Sequence, residues 1–496
     1  MEVWKGKVSY IVLVVSIFLL MSSSVAGSNQ SEISYEKGNS DNNIINHRNQ
    51  RIEPIPSNFI HRPIVEFFTG LSCPACMGGP HQDMEKLWDE TYKNPEQPFN
   101  YIVFHELNGG GVDDLATDES KERMQYYQPG VAGTPDAEFD GGYIKLGGLS
   151  ANSISYQSAS KAVEDCKSRY NREFNPLRPL QSIRNNFKFV KLFVDQVFTG
   201  EGFAVSVEVQ YLGMDAIMAT QNLRGSLYVF MIEDNVEAYS KVEEKVVNNR
   251  NVFRGYAINN QQITLSEDET YNTIVEWKIP DAKIPIKPGD ITAVAAVFDL
   301  DDTSSQNGNT GNDAQVPRCI QSASPKSSAY DRGNELPTVM DINVKYNGKI
   351  NIEAEFIDED GISKAFVLYN FNSSNSTSWS YEEMTITGEE VCDDSGVCFA
   401  YGDSTSTASI PTGKGKTIYF MFLVYDGAGM EAGGLGAQGR SEIYNYTSAG
   451  AGGENTGIGS LSIGAIGGLL GICIIIFVIL MVMKNKKKKE PENNKK

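Results

Sequence analysis

Basic charge is scarce in this sequence. Its 43 Lys and Arg stand against 63 Asp and Glu, a formal net charge of −20. That argues against a nucleic-acid-binding protein, because neutralising phosphates takes a basic footprint. No Ser/His/Asp arrangement, phosphate-cradling glycine loop or zinc-protease motif occurs, so nothing points to those enzyme classes or to a cofactor. Cysteine is sparse as well, with seven in 496 residues. One Cys-x-x-Cys is present, and zinc would want two further ligands at similar spacing. At roughly 100–200 residues per domain, the length allows two to four domains.

Two apolar segments point to a compartment. Lys5 and Lys7 precede the apolar run Tyr10 to Met21, and Ser24 and Ala26 supply the small residues of a cleavage site. Residues 1–26 therefore read as a secretory signal peptide. Leu461 to Met483 holds 23 uncharged, mostly apolar residues, about 34 Å as a helix and enough to cross a bilayer. Lys484 and Lys486 to Lys489 follow as a stop-transfer signal with the positive end inside. The expectation is a single-pass membrane protein, its body outside the cytoplasm and a short basic tail, 484–496, inside.

Between these ends the polar stretch 27–58 reads as a flexible spacer and 447–460 as a stalk. From 62 to 175 strand and helix patterns alternate. Ile64 to Phe68 and Tyr101 to Phe104 have strand character. Met84, Leu87 and Trp88 mark one face of a helix over 79–92, and further helices fit 117–127 and 155–170. A hairpin fits Ala137 to Lys145. From 187 onward strands dominate, among them the run Leu227 to Ile232 and the run Ile291 to Phe298. Asn347-Gly348 sits between two alternating segments, the strongest short-range hairpin signal. Two antiparallel sandwiches are expected, over 185–325 and 335–446, the second immunoglobulin-like.

The chemistry concentrates at Cys73-Pro-Ala-Cys76, which follows a strand and opens a helix. A helix start favours a thiolate at the first cysteine, and the second lies one turn on, close enough to resolve a mixed disulfide. A plain structural disulfide or a metal site fits the spacing too, with His81 and His105 as nearby nitrogen ligands for copper. Cys392 and Cys398 enclose a turn and suit a structural disulfide Cys392–Cys398. Cys166 and Cys319 stand alone, and whether they pair stays open.

The segment Ile64 to Cys76, together with Gly133-Thr134-Pro135 and Phe139-Asp-Gly-Gly142, resembles the thioredoxin-like superfamily. The resemblance covers about 62–172. It implies that Cys73 attacks, that Cys76 resolves and closes the Cys73–Cys76 disulfide, and that Pro135 is cis beside them. Thr134 would present backbone to a bound polypeptide, and Glu66 would be a buried acid that relays protons. Pro74-Ala75 stands between the cysteines where cytosolic thioredoxins carry Gly-Pro, so the direction of exchange stays open. The stretch from His105 to Tyr127, with Asn251 to Arg254 and Gln315 to Gln321, is similar to an extracytoplasmic subgroup with an appended C-terminal β-sandwich.

The expected architecture is thus a multidomain chain: an α/β thioredoxin-like domain over 59–175, two all-β immunoglobulin-like sandwiches and one transmembrane helix, 461–483. The expected activity is thiol–disulfide exchange on protein substrates carrying thiols or disulfides, served by a redox partner, with no nucleic acid. The competing expectation is a cell-surface adhesion or binding protein on a non-catalytic thioredoxin-like scaffold.

Overall fold

The computed structural model of the chain describes residues 59–94, 96–106, 113–127, 133–148, 153–170, 187–214, 221–305, 316–372, 379–392, 398–412, 415–427, 438–441, 443–448 and 459–460. Strand β1 (Ile64–Thr69) leads through α1 (Pro74–Met77) and α2 (Pro80–Tyr92) to β2 (Asn100–His105). Then follow α3 (Asp118–Tyr127), β3 (Asp136–Phe139), β4 (Ile144–Gly147) and α4 (Tyr156–Tyr170). β1 pairs in parallel with β2 and antiparallel with β3, and β3 forms a hairpin with β4. β1 is buried along its whole length. Val65 and Phe67 meet Met84, Leu87 and Trp88 of α2 and Ala159, Ala162 and Val163 of α4. Ile64 and Phe68 face the other way, onto Met124 and Tyr127 of α3. A strand with both faces covered reads as a continuous apolar run, as Ile64-Val-Glu-Phe-Phe nearly does.

The segment continues through β5 (Lys188–Phe198), β6 (Gly202–Met214), β7 (Leu223–Glu233), β8 (Val236–Ser240), β9 (Lys245–Asn249), β10 (Val252–Leu265), β11 (Thr270–Lys278), β12 (Ile291–Asp299), β13 (Arg318–Ala323) and α5 (Pro325–Arg332). Here the expected architecture is overturned. There is no separate α/β domain with a sandwich appended. β10 adds beside β2 at Val252 and Val103, and one eight-stranded sheet runs β13-β12-β7-β10-β2-β1-β3-β4. The physical reason is the open edge of β2, whose unpaired backbone groups need a partner when buried. Val103 N–H donates to Asn251 O at 2.9 Å, and the Asn251 side-chain amide donates to Tyr101 O at 3.0 Å.

β7 is buried on both faces. Tyr228, Phe230 and Ile232 join the α3 side, whereas Leu227, Val229 and Met231 pack toward the three-stranded sheet β11-β6-β5. The sandwich core over 187–323 is therefore covered on one side by the same sheet that carries β1 and β2.

The last segment holds β14 (Thr338–Tyr346), β15 (Lys349–Ile357), β16 (Ile362–Asn370), β17 (Ser380–Glu383), β18 (Thr385–Cys392), β19 (Cys398–Pro411), β20 (Thr417–Asp426), β21 (Gln438–Arg440), β22 (Tyr444–Thr447) and β23 (Gly459–Ser460). The Asn347-Gly348 hairpin forms, pairing Tyr346 with Ile350, with Gly348 at φ 93° where a side chain would be strained. These strands are not a free-standing immunoglobulin-like sandwich. They join in one ten-stranded sheet. Phe366 and Leu368 of β16 and Met421, Leu423 and Tyr425 of β20 are part of the β5–β7 core, while Val367, Phe420, Phe422 and Val424 face a core of their own. Strand dominates the described chain, with five α-helices among the described residues. None of those helices is long and apolar enough to cross a membrane. The expected signal peptide 1–26, spacer 27–58, transmembrane segment 461–483 and tail 484–496 lie outside the described residues.

Candidate functional site

Cys73 ends the loop after β1 and caps α1. Its N–H donates to Gly70 O at 3.0 Å, Pro74 takes the first helical position, and its Sγ accepts the Cys76 N–H at 3.2 Å. Pro suits that position because the N–H it lacks would have no helical acceptor. Cys73 and Cys76 are joined as a disulfide, with Cα atoms 5.3 Å apart. Cys73 keeps 7% of its surface and Cys76 none, so Cys73 is the less buried of the two. Pro74 and Ala75 between them are exposed.

The structure brings Thr134 and Pro135 to this pair. Thr134 Oγ1 donates to Cys73 Sγ at 3.6 Å, and the Thr134 carbonyl oxygen lies 3.8 Å from the same sulfur. The Thr134–Pro135 peptide is cis.

Glu66 faces α3, where Oε2 accepts from Arg123 Nε at 2.6 Å and Oε1 from Arg123 Nη2 at 2.8 Å and from Tyr127 OH at 2.5 Å. Burial alone would lower the pKa of the Arg123 guanidinium, but the adjoining Glu66 carboxylate raises it well above the usual value. The described geometry shows a two-pronged buried ion pair, with both carboxylate oxygens engaged.

Residues that the sequence reading passed over hold the loop in front of Cys73. Asp113 Oδ2 accepts from Leu71 N–H at 2.8 Å and lies 3.0 Å from His105 Nδ1, while Oδ1 accepts from Leu115 N–H at 2.9 Å. Burial pushes the Asp113 carboxyl up, yet the His105 charge and these hydrogen bonds outweigh it and hold the group below the usual range. From the β8–β9 hairpin, Ser240 Oγ donates to Leu71 O at 3.0 Å. Leu71, Met77 and Leu115 share an apolar cluster with Val236, Ala238 and Val252. Nothing near Leu71 in the sequence announces a partner 169 residues away. His105 thus orients Asp113, and His81 lies buried with Nε2 3.1 Å from Glu85 Oε1. Among the described residues no group of three or more His, Cys, Asp or Glu is placed to hold a metal ion.

Glu106 follows His105 and receives the chain at Thr69, where its N–H donates to Thr69 O at 2.9 Å. Burial pushes its carboxyl up to about 7, with Asp113 adding to the rise and Lys121 opposing it. The folded chain therefore keeps the Glu106 proton where the unfolded chain, near the ordinary value of about 4.3, has released it. The stability from that proton is complete below about 4.3 and is lost as pH rises through about 7. Glu106→Gln is expected to raise the melting temperature at pH 8 by roughly 2–4 °C and to leave it unchanged at pH 4, as checked by paired thermal melts.

Of the other cysteines, Cys166 and Cys319 are buried free thiols, and burial pushes both well above the usual thiol range. Cys392 and Cys398 stand opposite each other where β18 pairs with β19, which is the backbone placement a loop-closing disulfide needs. Their side chains lie outside the described residues.

No family model matches the chain. No curated protein matches it. Solved structures similar to it include HBP35 of Porphyromonas gingivalis, at TM-score 0.36 and 12% identity over 77% of this chain and 98% of that one. Dimeric latent PorU from Porphyromonas gingivalis is similar at TM-score 0.18 and 8% identity, over 54% of this chain and 25% of its own. Spo0M, a sporulation control protein from Bacillus subtilis, follows at TM-score 0.15 and 11% identity, over 55% and 91%.

Proposed function

We propose that the chain exchanges thiols and disulfides with protein substrates through Cys73 and Cys76, outside the cytoplasm and tethered by the apolar segment 461–483. One observation carries this reading. The less buried sulfur of a Cys-x-x-Cys disulfide lies within 3.8 Å of the carbonyl oxygen preceding Pro135, and it accepts the Thr134 hydroxyl. The resemblance of both motifs to the thioredoxin-like superfamily supports the same reading.

In the reducing direction the Cys73 thiolate attacks a substrate disulfide, forming a mixed disulfide and releasing one substrate thiolate. Cys76, deprotonated, then attacks Cys73 Sγ, which closes the Cys73–Cys76 bond and releases the second substrate thiol. Two electrons pass to the substrate, and a dithiol partner must return them. In the oxidising direction every step runs backwards. The N–H of Cys76 aimed at Cys73 Sγ stabilises negative charge on the attacking sulfur. Thr134 lies where an incoming polypeptide would meet the sulfur.

After mild reduction of the full chain, iodoacetamide at pH 6 should label Cys73 about tenfold faster than free cysteine and spare the buried Cys76. Labelling of Cys73 at or below the rate of free cysteine would sink this reading and leave a structural disulfide.

A further inference from the structure

At the far end of β2 from the dithiol loop lies a cavity of about 300 Å³. β2 ends at His105 beside the Cys73 loop and begins at Asn100 on the cavity wall, about 17 Å away along a strand. The last turn of α2, the start of α5 and the segment entering β12 contribute to its lining.

Three rings form one wall. Trp88 and Tyr92 stand 5.4 Å apart between centroids, and Trp88 and Tyr101 stand 6.0 Å apart. Trp88 Nε1 and Tyr101 OH are buried without a hydrogen-bond partner among the described residues, on side chains 3% and 0% exposed. A buried donor left unmade is costly, and two on residues that line one cavity call for an explanation. The neighbouring amides make their described hydrogen bonds elsewhere. Gln97 is bonded to Asn100 and Ser324, and Asn251 to the Tyr101 carbonyl. The unmet demand of Trp88 Nε1 and Tyr101 OH is for acceptor atoms.

We propose that this cavity binds a neutral hexopyranose unit. Its hydroxyl and ring oxygens would accept from Trp88 Nε1 and Tyr101 OH, and the C–H face of its ring would lie on the aromatic wall. Asp234 and Asp290 on the lining, in a chain of net charge −20, disfavour an anion. A cation is disfavoured as well. Asp234 is already bound through both oxygens by Arg250, and the Lys326 ammonium lies 4.4 Å from the Tyr92 ring centroid. The volume is of the size that holds one sugar ring.

The test is calorimetric titration of the full chain with the methyl glycosides of glucose, mannose and N-acetylglucosamine. At least one should bind saturably, and Tyr101→Phe, which removes the hydroxyl and keeps the ring, should weaken it about threefold to tenfold. Trp88→Phe should weaken it by a similar factor. The same Tyr101→Phe change should raise the melting temperature of the free chain by roughly 2–4 °C, because an unmet buried hydroxyl is gone. No saturable binding of the three glycosides overturns the proposal. So does binding that both variants retain in full, a melting temperature that falls in Tyr101→Phe, or benzoate or tetramethylammonium binding in place of the sugars. Labelling of Cys73 should be the same in all of these chains.

Discussion

Cys73→Ser is expected to abolish reduction of insulin disulfides by the full chain, and Cys76→Ser to stop turnover while trapping substrates. The two sulfurs differ in a way that separates their roles. Cys73 is the less buried of the two and the one that accepts both the Cys76 N–H and the Thr134 hydroxyl. Without it no mixed disulfide can form. Cys76 has no exposed surface and cannot meet a substrate first. In the proposed exchange its contribution is to attack Cys73 Sγ from within the same chain, where a well-placed group acts at an effective concentration of about 10⁵ M or more. Removing it leaves solution thiols to do that work and should slow release of the mixed disulfide by at least about a thousandfold. Non-reducing gels of Cys76→Ser should then show adducts that dithiothreitol dissolves, and Cys73→Ser should show none. Equal insulin reduction by wild type and Cys73→Ser would remove the proposed activity.

The strands themselves were legible from side-chain periodicity. Alternation over Ile342 to Tyr346 and Ile350 to Phe356 gave β14 and β15, and the helical spacing of Met84, Leu87 and Trp88 gave the inner face of α2. The assembly was not legible. The unbroken run Leu227 to Ile232 announces burial on both faces of β7 but does not say by what. Its two covers come from separate stretches of the chain, α3 on one side and β5 and β6 on the other. The junction of β2 with β10 rests on a single bridge pair, Val103 with Val252, and no hydrophobic pattern encodes such a pairing. A reader of the sequence therefore cuts the sheet at a domain boundary that the backbone crosses. The dithiol site was legible to the extent that its residues fall into two short motifs. Asp113 and Ser240, which fasten Leu71 in front of Cys73, carry no motif.

Glu66 is buried, as the resemblance implies, and its ion pair with Arg123 sets the second large expected effect. An acid in β1 invites the role of proton relay, yet its carboxylate is clamped by Arg123 and Tyr127. Arg123 is itself surrounded by ring faces, with its guanidinium carbon 4.6 Å from the Tyr228 centroid, 4.9 Å from Tyr126 and 5.1 Å from Phe298. Those faces ease the burial of a cation but carry no charge to balance it. Arg123→Met should therefore strand a buried carboxylate and cost about 3–5 kcal/mol in urea unfolding. Glu66→Leu should cost a similar amount by stranding the guanidinium. The double variant, with neither charge left, should recover most of that loss, because two apolar side chains can replace a buried ion pair nearly neutrally. The pH profile of insulin reduction distinguishes this role from a relay. Glu66→Gln loses stability in either case. An ion pair that only holds α3 against the sheet leaves the profile in place, whereas a relay also moves the profile along the pH axis.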